Sequence, residues 1–342
     1  MNGSDFSLRL LRWYEINGRQ LPWRGTRDPY RIWVSEIILQ QTRVAQGYDY
    51  FLRFTHRFPT VECLAEATDD EVLRQWQGLG YYSRARNLHK AARQIAALGH
   101  FPDTYDEIRQ LHGVGDYTAA AIASLAFGLP CAVVDGNVYR VLARHFGIDE
   151  PIDTTAGKRL FAQMAQELLV PTRAADYNQA IMDFGALQCT PRQPRCPQCP
   201  MADTCLALAQ GRVESLPVRQ RSASVRVRYF TYVYVRFGEE VLLQRRPSGD
   251  IWQGLYQPPL RETSEPMPLA EVDTWLGRYG TLSLLRADRR HQLTHQLIHA
   301  DFYLLQATQR PPLEGLWIRE SERDQYAVPR LVEDMYGLIP NP

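Results

Sequence analysis

The sequence predicts an all-α first half followed by a mixed α and β second half. Three observations carry this. Apolar residues recur at helical spacing up to about residue 210. Strict alternation begins only at residue 225. A cysteine-rich stretch broken by prolines lies between the two patterns. The chain has 342 residues, too many for one ordinary core and about right for two domains.

Each element follows from its residues. Phe6, Leu10, Trp13 and Tyr14 stand at helical spacing, and Gly18 ends that run. Asp28-Pro29 reads as an N-cap followed by proline at the first helical position. The helix it opens carries Tyr30, Trp33, Val34, Ile37, Ile38 and Gln41, with Glu36 on the flank of the apolar stripe. In isolation Glu36 reads as a solvated helix carboxylate. Thr68 to Glu71 and Thr104 to Glu107 have the pattern of capping boxes, each before an apolar helical run. Alanine-rich runs at 91–97 and 119–126 are further helices. Between helices lies Leu111-His112-Gly113-Val114-Gly115, a tight turn whose following helix presents free amides where a phosphate can bind. Val133-Val134-Asp135-Gly136-Asn137 places an aspartate where an N-cap is expected.

Cys189, Cys196, Cys199 and Cys205 are spaced x6, x2 and x5 among four prolines. Proline excludes regular helix or strand there, so the segment is a loop folded around something. Four thiolates suit a structural zinc or a [4Fe–4S] cluster, and spacing leaves both open. The N-terminus has no apolar signal region, so a reducing compartment is expected and disulfides are a weak rival. No apolar run is long enough to span a bilayer.

From Gly211 to Ser224 the sequence is polar and reads as a linker. Val225, Val227, Tyr229, Thr231, Val233 and Val235 then alternate with their neighbours as a strand. Val241-Leu242-Leu243 and Ala300–Leu305 are further strands. The expected division is 1–210, a linker at 211–224, and 225–342. Net charge is +1 overall, so any nucleic-acid face must be local. Lys90 and Lys158 are the only lysines, which leaves few amine nucleophiles.

The hairpin, the Val-Asp-Gly-Asn-Val stretch and the four cysteines, in that order, resemble the helix-hairpin-helix DNA glycosylases of the endonuclease III type. Leu21-Pro22-Trp23-Arg24, Trp33 to Glu36, Leu39 to Thr42 and Gly78 to Leu88 resemble the adenine DNA glycosylases, the MutY family, within that superfamily. The second half resembles their Nudix-like domain, without the glutamate-rich metal box of true Nudix hydrolases.

The resemblance implies a catalytic domain at 1–210 with a [4Fe–4S] cluster on the loop at 189–205, and an α+β lesion-recognition domain from 225. It implies a substrate: adenine opposite 8-oxoguanine or guanine in double-stranded DNA, removed by hydrolysis to leave an abasic site. Glu36 is then the general acid that protonates adenine at N7. Burial beside Trp33 should raise its pKa, while Asp135 at a helix N-terminus stays ionised and faces the cationic sugar. Tyr117 stands where strand-cleaving relatives carry lysine, so no lyase is expected. Asn137 orients the catalytic groups. Arg19, Leu21, Trp23, Arg24 and Gln179 should line the pocket of the flipped base. Gln41 and Tyr81 should wedge into the stack, and the amides of Gly113 and Gly115 should hold phosphates. Leu293-Thr294-His295 stands in for the family's Phe-Ser-His lesion-reading loop, with Thr294 and His295 as its polar pair. A monomer of bacterial type, acting on DNA inside the cell, is the expected form. The rival readings are a glycosylase for thymine or uracil opposite guanine and a catalytically silent damage sensor.

Overall fold

Helices account for the regular structure of the chain as far as residue 209, as the 3.6-residue spacing requires. A computed structural model describes residues 3–220 and 225–340. The chain divides into two compact units. The first takes residues up to Glu66 and the helical half from Asn87 onward; the second takes Ala67–Arg86 with the described residues from 225. Among the described residues no helix is long and apolar enough to cross a membrane.

In the first unit Leu10, Val138, Leu142, Phe161 and Ile181 meet in a core that excludes water almost completely. Local chemistry sets where its helices begin. Asp28 caps Pro29–Leu39 by accepting from the amides of Tyr30 and Arg31. Asp135 caps Gly136–Phe146 by accepting from Asn137 and Val138. Between Tyr105–Arg109 and Asp116–Phe127 runs the glycine hairpin. Gly113 has φ +75°, and a Cβ there would lie 2.5 Å from the Asn87 Cβ. Arg109 ties the hairpin by donating to the Val114 carbonyl at 3.0 Å and to Asp116 at 2.5 Å. Gly115 gives the next helix no capping side chain, so its first amides are not taken by one.

Of the expected linker, the part up to Val218 packs on the first unit. Leu216 is buried, its carbonyl accepts from Arg144 at 3.1 Å, and Val218 accepts from the Ile152 amide at 3.1 Å. Residues 221–224 of that linker lie outside the described residues.

Among the described residues the second unit is built on seven strands: β1 (Arg226–Phe237), β2 (Glu240–Arg245), β3 (Tyr256–Gln257), β4 (Leu260–Thr263), β5 (Gly280–Gln292), β6 (Gln296–Ala307) and β7 (Leu316–Arg319). The order is β3-β2-β1-β6-β5, with β4 on β1 and β7 on β2. β1 and β6 run parallel, in register from Arg226↔Gln296 to Arg236↔Gln306. β5 and β6 form an antiparallel hairpin whose turn is Leu293-Thr294-His295. β1 reads as an alternating strand, yet both of its faces are buried along most of its length. Phe230, Tyr232 and Tyr234 pack toward Leu331 and Met335, while Val233 and Val235 pack toward Val272 and Leu276. A helix on each face covers what period two alone leaves half-exposed.

Residues 67–86 belong to this second unit through specific bonds. The Thr68–Glu71 capping box is complete. The Tyr82 hydroxyl donates to the Val328 carbonyl at 3.4 Å, Arg86 to the Gln253 carbonyl at 2.7 Å, and Gln77 bonds Glu333.

Gly113→Ala should destabilise the first unit by roughly 1–3 kcal/mol, from the left-handed backbone and the contact with Asn87. Urea unfolding followed by circular dichroism measures it; a change below ~0.5 kcal/mol would mean the hairpin relaxes freely.

Candidate active site

Glu36 lies on Pro29–Leu39, a helix whose residues from Ile32 to Ile38 are all buried. Glu36 is only 7% exposed. Desolvation raises its pKa to about 7; the Asp135 charge adds to this, while the Tyr117 hydrogen bond and the Arg24 charge oppose it. The Tyr117 hydroxyl donates to Glu36 Oε2 at 2.8 Å and contacts the Met182 sulfur at 3.4 Å. Burial and the neighbouring carboxylates push the Tyr117 phenol well above its ordinary range, so it stays a neutral donor.

Asp135 is treated differently by its surroundings. Burial pushes its pKa up as well, against the expectation from a helix N-terminus alone. Three donors counter that: the amides of Asn137 and Val138, each at 2.8 Å, and Asn137 Nδ2 at 2.8 Å. Asn137 is fixed in turn, because its Oδ1 accepts from Arg140 at 2.8 Å. Arg140 also donates to the Cys189 carbonyl at 2.7 Å and the Gly185 carbonyl at 2.6 Å. One buried guanidinium thus connects the Asp135 cap to the first cysteine.

Glu36, Tyr117, Asp135 and Asn137 all face one cavity of about 610 Å³. Arg19, Leu21, Trp23, Arg24, Gln41 and Gln179 line the same cavity. The sequence reasoning missed Asp183. It is fully buried on Ala174–Leu187 and takes both arginines, Arg19 at 2.5 Å and Arg24 at 2.6 Å. A carboxylate between Ile181-Met182 and Phe184 was the available signal, since a charge in an apolar helix needs a partner. Gln179 accepts from the Tyr14 hydroxyl at 2.5 Å. Gln41 is exposed, with φ 56°.

The other expected residues lie elsewhere. Gly113 and Gly115 form the hairpin described above. Tyr81, Thr294 and His295 line a cavity of about 380 Å³ in the second unit, with Trp252 and Asp250. The Tyr81 and Thr294 hydroxyls are hydrogen-bonded to each other. Tyr81 and Trp252 hold φ values of 46° and 59°, costly for non-glycine residues. Trp252 was not anticipated.

Cys189, Cys196, Cys199 and Cys205 surround a small cavity of about 30 Å³ in the first unit. Among the described residues no three or more His, Cys, Asp or Glu groups converge as a single metal ion would require. Burial raises the Cys199 thiol to about 11 and pushes Cys196 and Cys205 up. The buried Arg144 pins the loop by donating to the carbonyls of Thr190 at 2.7 Å and Pro191 at 3.1 Å, and to the Cys189 sulfur at 3.5 Å.

Known proteins bear on this arrangement. Residues 34–167 match the HhH-GPD superfamily of base excision DNA repair proteins, and residues 231–337 match the NUDIX domain. The adenine DNA glycosylase of Buchnera aphidicola subsp. Schizaphis graminum is 32% identical over 300 residues, covering 86% of this chain and 83% of that protein. The chain belongs to the adenine DNA glycosylase family. The rat adenine DNA glycosylase is 44% identical over 227 residues, 62% of this chain, and the chain spans 44% of the rat protein's length. Among solved structures, a thermostable thymine-DNA glycosylase superposes with TM-score 0.57 at 31% identity, covering 61% of this chain and 97% of that one. Endonuclease III bound to DNA shares the fold, with TM-score 0.53 at 20% identity, covering 62% and 98%. The helix-hairpin-helix fold and the Nudix-like second domain are therefore those of the family.

Removing the Tyr117 hydroxyl removes the hydrogen bond that favours ionised Glu36. Tyr117→Phe should therefore raise the Glu36 pKa above the wild-type value of about 7. Carboxyl ¹³C NMR titration with labelled glutamate reads this directly, and an unchanged or lower value would contradict it.

Proposed function

We propose that the chain hydrolyses the N-glycosidic bond of adenine opposite 8-oxoguanine or guanine in double-stranded DNA, leaving an abasic site. The observation that carries this reading is the pair of unlike carboxyls in one cavity. Glu36 has a pKa raised to about 7 and accepts from the Tyr117 hydroxyl, whereas three donors converge on Asp135. Base removal needs that difference. Protonated Glu36 gives its proton to adenine, converting a poor leaving anion into a neutral base. The Asp135 carboxylate stabilises the oxocarbenium-like sugar left behind. Ionised Glu36 then accepts a proton from the attacking water, so the catalyst returns to its starting state.

The remaining residues are assigned by what they offer. Arg19, Leu21, Trp23, Arg24 and Gln179 receive the flipped adenine, with Tyr117 and Asn137 orienting the two carboxyls. Neither lysine lines the cavity, and Tyr117 offers no amine, so Schiff-base chemistry has no donor there. The free amides after Gly113 and Gly115 bind phosphates. Gln41 and Tyr81 suit a wedge, since both are exposed and already held in the left-handed backbone region. Thr294 and His295 present the polar pair that reads the lesion.

Cys189, Cys196, Cys199 and Cys205 would hold a [4Fe–4S] cluster. Four thiols around one small cavity, in a loop pinned by Arg144, suit it. When bound, such a cluster supplies order to the loop; base removal runs on the carboxyls. The protein works as a monomer on DNA inside the cell, in the manner of the bacterial members.

A single-turnover assay on a duplex with one adenine opposite 8-oxoguanine tests the reading. Strand breaks are expected only after alkali, and only for adenine opposite the lesion or guanine. The likeness to a thymine-DNA glycosylase gives the rival reading its weight. Cleavage confined to a thymine–guanine duplex would transfer the activity to thymine, and breaks without alkali would reveal a lyase. Glu36→Gln should lower the release rate by about 10²–10⁴-fold while lesion binding persists. Equal binding with no release by either protein would make the chain a damage sensor.

The pH profile follows from the two shifts. Glu36 holds its proton below its pKa of about 7, so the rate of base release falls as pH rises through that value. Asp135 must be ionised, so the rate falls again at acid pH, with a limb above the ordinary aspartate range. A rate independent of pH from about 5 to 9 would exclude these roles. Anaerobic purification should give a brown protein with about four iron and four sulfide per chain. Stoichiometric zinc instead would overturn the cluster assignment.

A further inference from the structure

Asp183 is the most completely buried carboxylate beside the catalytic cavity, and no step of base removal uses it. It lies on Ala174–Leu187 with 0% exposure. Arg19 donates to it from its backbone amide at 3.0 Å, from Nε at 2.9 Å and from Nη2 at 2.5 Å. Arg24 donates from Nη1 at 2.6 Å and from Nη2 at 2.7 Å. Arg24 Nη1 also reaches the Arg19 carbonyl at 3.1 Å. Both arginines line the cavity of Glu36 and Tyr117. Both terminal nitrogens of Arg24 are therefore engaged by one carboxylate, in bidentate geometry.

This matters because burial favours the proton on Glu36, and a nearby unpaired cation would oppose it. The charged and titratable groups facing Glu36 are Tyr117 from Asp116–Phe127, Asp135 from the start of Gly136–Phe146, and Arg24 from the loop after Gly18. Among the described residues Arg24 is the cation that acts on Glu36, and Arg19 and Arg43 line the same cavity. A guanidinium free to swing onto a buried glutamate would ionise it, since an opposite charge within ~4–6 Å lowers a carboxyl pKa by about 1–3 units. Burial alone would raise the Asp183 pKa, yet the two arginines bring it below the usual aspartate range. The anion that Arg24 needs is thus already present.

We propose that Asp183 is a positioning residue for base removal: by holding Arg24 and Arg19 it keeps a guanidinium from pairing with Glu36, so Glu36 retains the proton it must donate. The same carboxylate anchors the loop from Arg19 to Arg24, and with it Leu21 and Trp23, through the Arg19 amide. Asp183 acts through Arg24 and touches neither base nor sugar. The inference rests on the reading of Glu36 as general acid.

The test compares pH profiles of single-turnover adenine release, using the full chain and the lesion duplex. Asp183→Asn keeps the shape and removes the charge. Its alkaline limb should move down by about one unit or more, for one unit a loss about fivefold deeper at pH ~8 than at pH ~6 relative to wild type. Asp183→Asn with Arg24→Leu removes the competing guanidinium, so its limb should return to the wild-type position or above, even though its rate is lower. Asp183→Asn with Arg19→Leu leaves Arg24 unheld and should keep the lowered limb. Each double variant leaves only one guanidinium facing the uncharged amide, so the doubles decide if the single variant does not fold.

A uniform loss at every pH with an unmoved limb would reduce Asp183 to a structural residue and overturn the proposal. So would a lowered limb that persists without Arg24, or a chain that folds in none of the three variants. These outcomes are separable from failure of the function itself. If wild type releases no adenine, or shows no alkaline limb, the Glu36 reading falls. If wild type shows the limb and the variants do not move it, only the role of Asp183 falls.

Discussion

The arrangement of the first unit depends on one unfavourable placement, a carboxyl group in the dry flank of a buried helix. Water would hold Glu36 ionised at neutral pH; burial shifts the balance toward the proton. That placement is tolerable because the group need not carry charge when it is buried. Its neighbours are chosen accordingly. Tyr117 offers one neutral donor, and Asp135 offers an anion that penalises a second charge. Arg24, the cation that acts on Glu36, is already bonded to Asp183.

Around this point the protein uses its buried arginines as connectors. Arg24 and Arg19 join a loop to Asp183, Arg140 joins the Asp135 cap to Cys189, and Arg144 fastens the cysteine loop by its carbonyls. Arginine suits this work because its planar fork stays charged and donates in several fixed directions. Lysine offers a point charge and a removable proton, and with two lysines in the chain the cavity has neither.

The second unit places strain and polarity together. Tyr81 and Trp252 both sit in left-handed backbone around the cavity that holds Thr294 and His295. Such conformations persist only where the surroundings over-determine them. Here Arg246 donates to the Ile251 carbonyl at 2.9 Å and to Asp250 at 2.5 Å, fixing the loop that bears Trp252. Arg228 grips Asp250 from the sheet at 2.7 Å. The loop beside Thr294 and His295 is thus held from beneath by charge pairs whose arginines are buried.

Much of this was legible in the residues themselves. Capping chemistry at Asp28, Thr68 and Asp135, the helical stripes, the alternation in β1 and the four spaced cysteines are patterns among near neighbours, so they survive in one dimension. The family motifs added the candidate residues, and ten of them line one cavity. Other features have no local signature. Nothing near Ala67–Arg86 announces that it clusters with a sheet formed more than a hundred residues later. Asp183 meets its arginines across 159 and 164 residues of chain, and Arg140 reaches Cys189 across 49. The alternation in β1 leaves its second face unassigned, because only packing supplies the helices that bury both faces. The sequence by itself determined the elements, the cysteine loop and the two candidate carboxyls, because each rests on local spacing or a motif. Only the tertiary structure decided how far burial shifts both carboxyls and which carboxylate holds Arg24, because burial and charge pairing depend on residues brought together from distant parts of the chain.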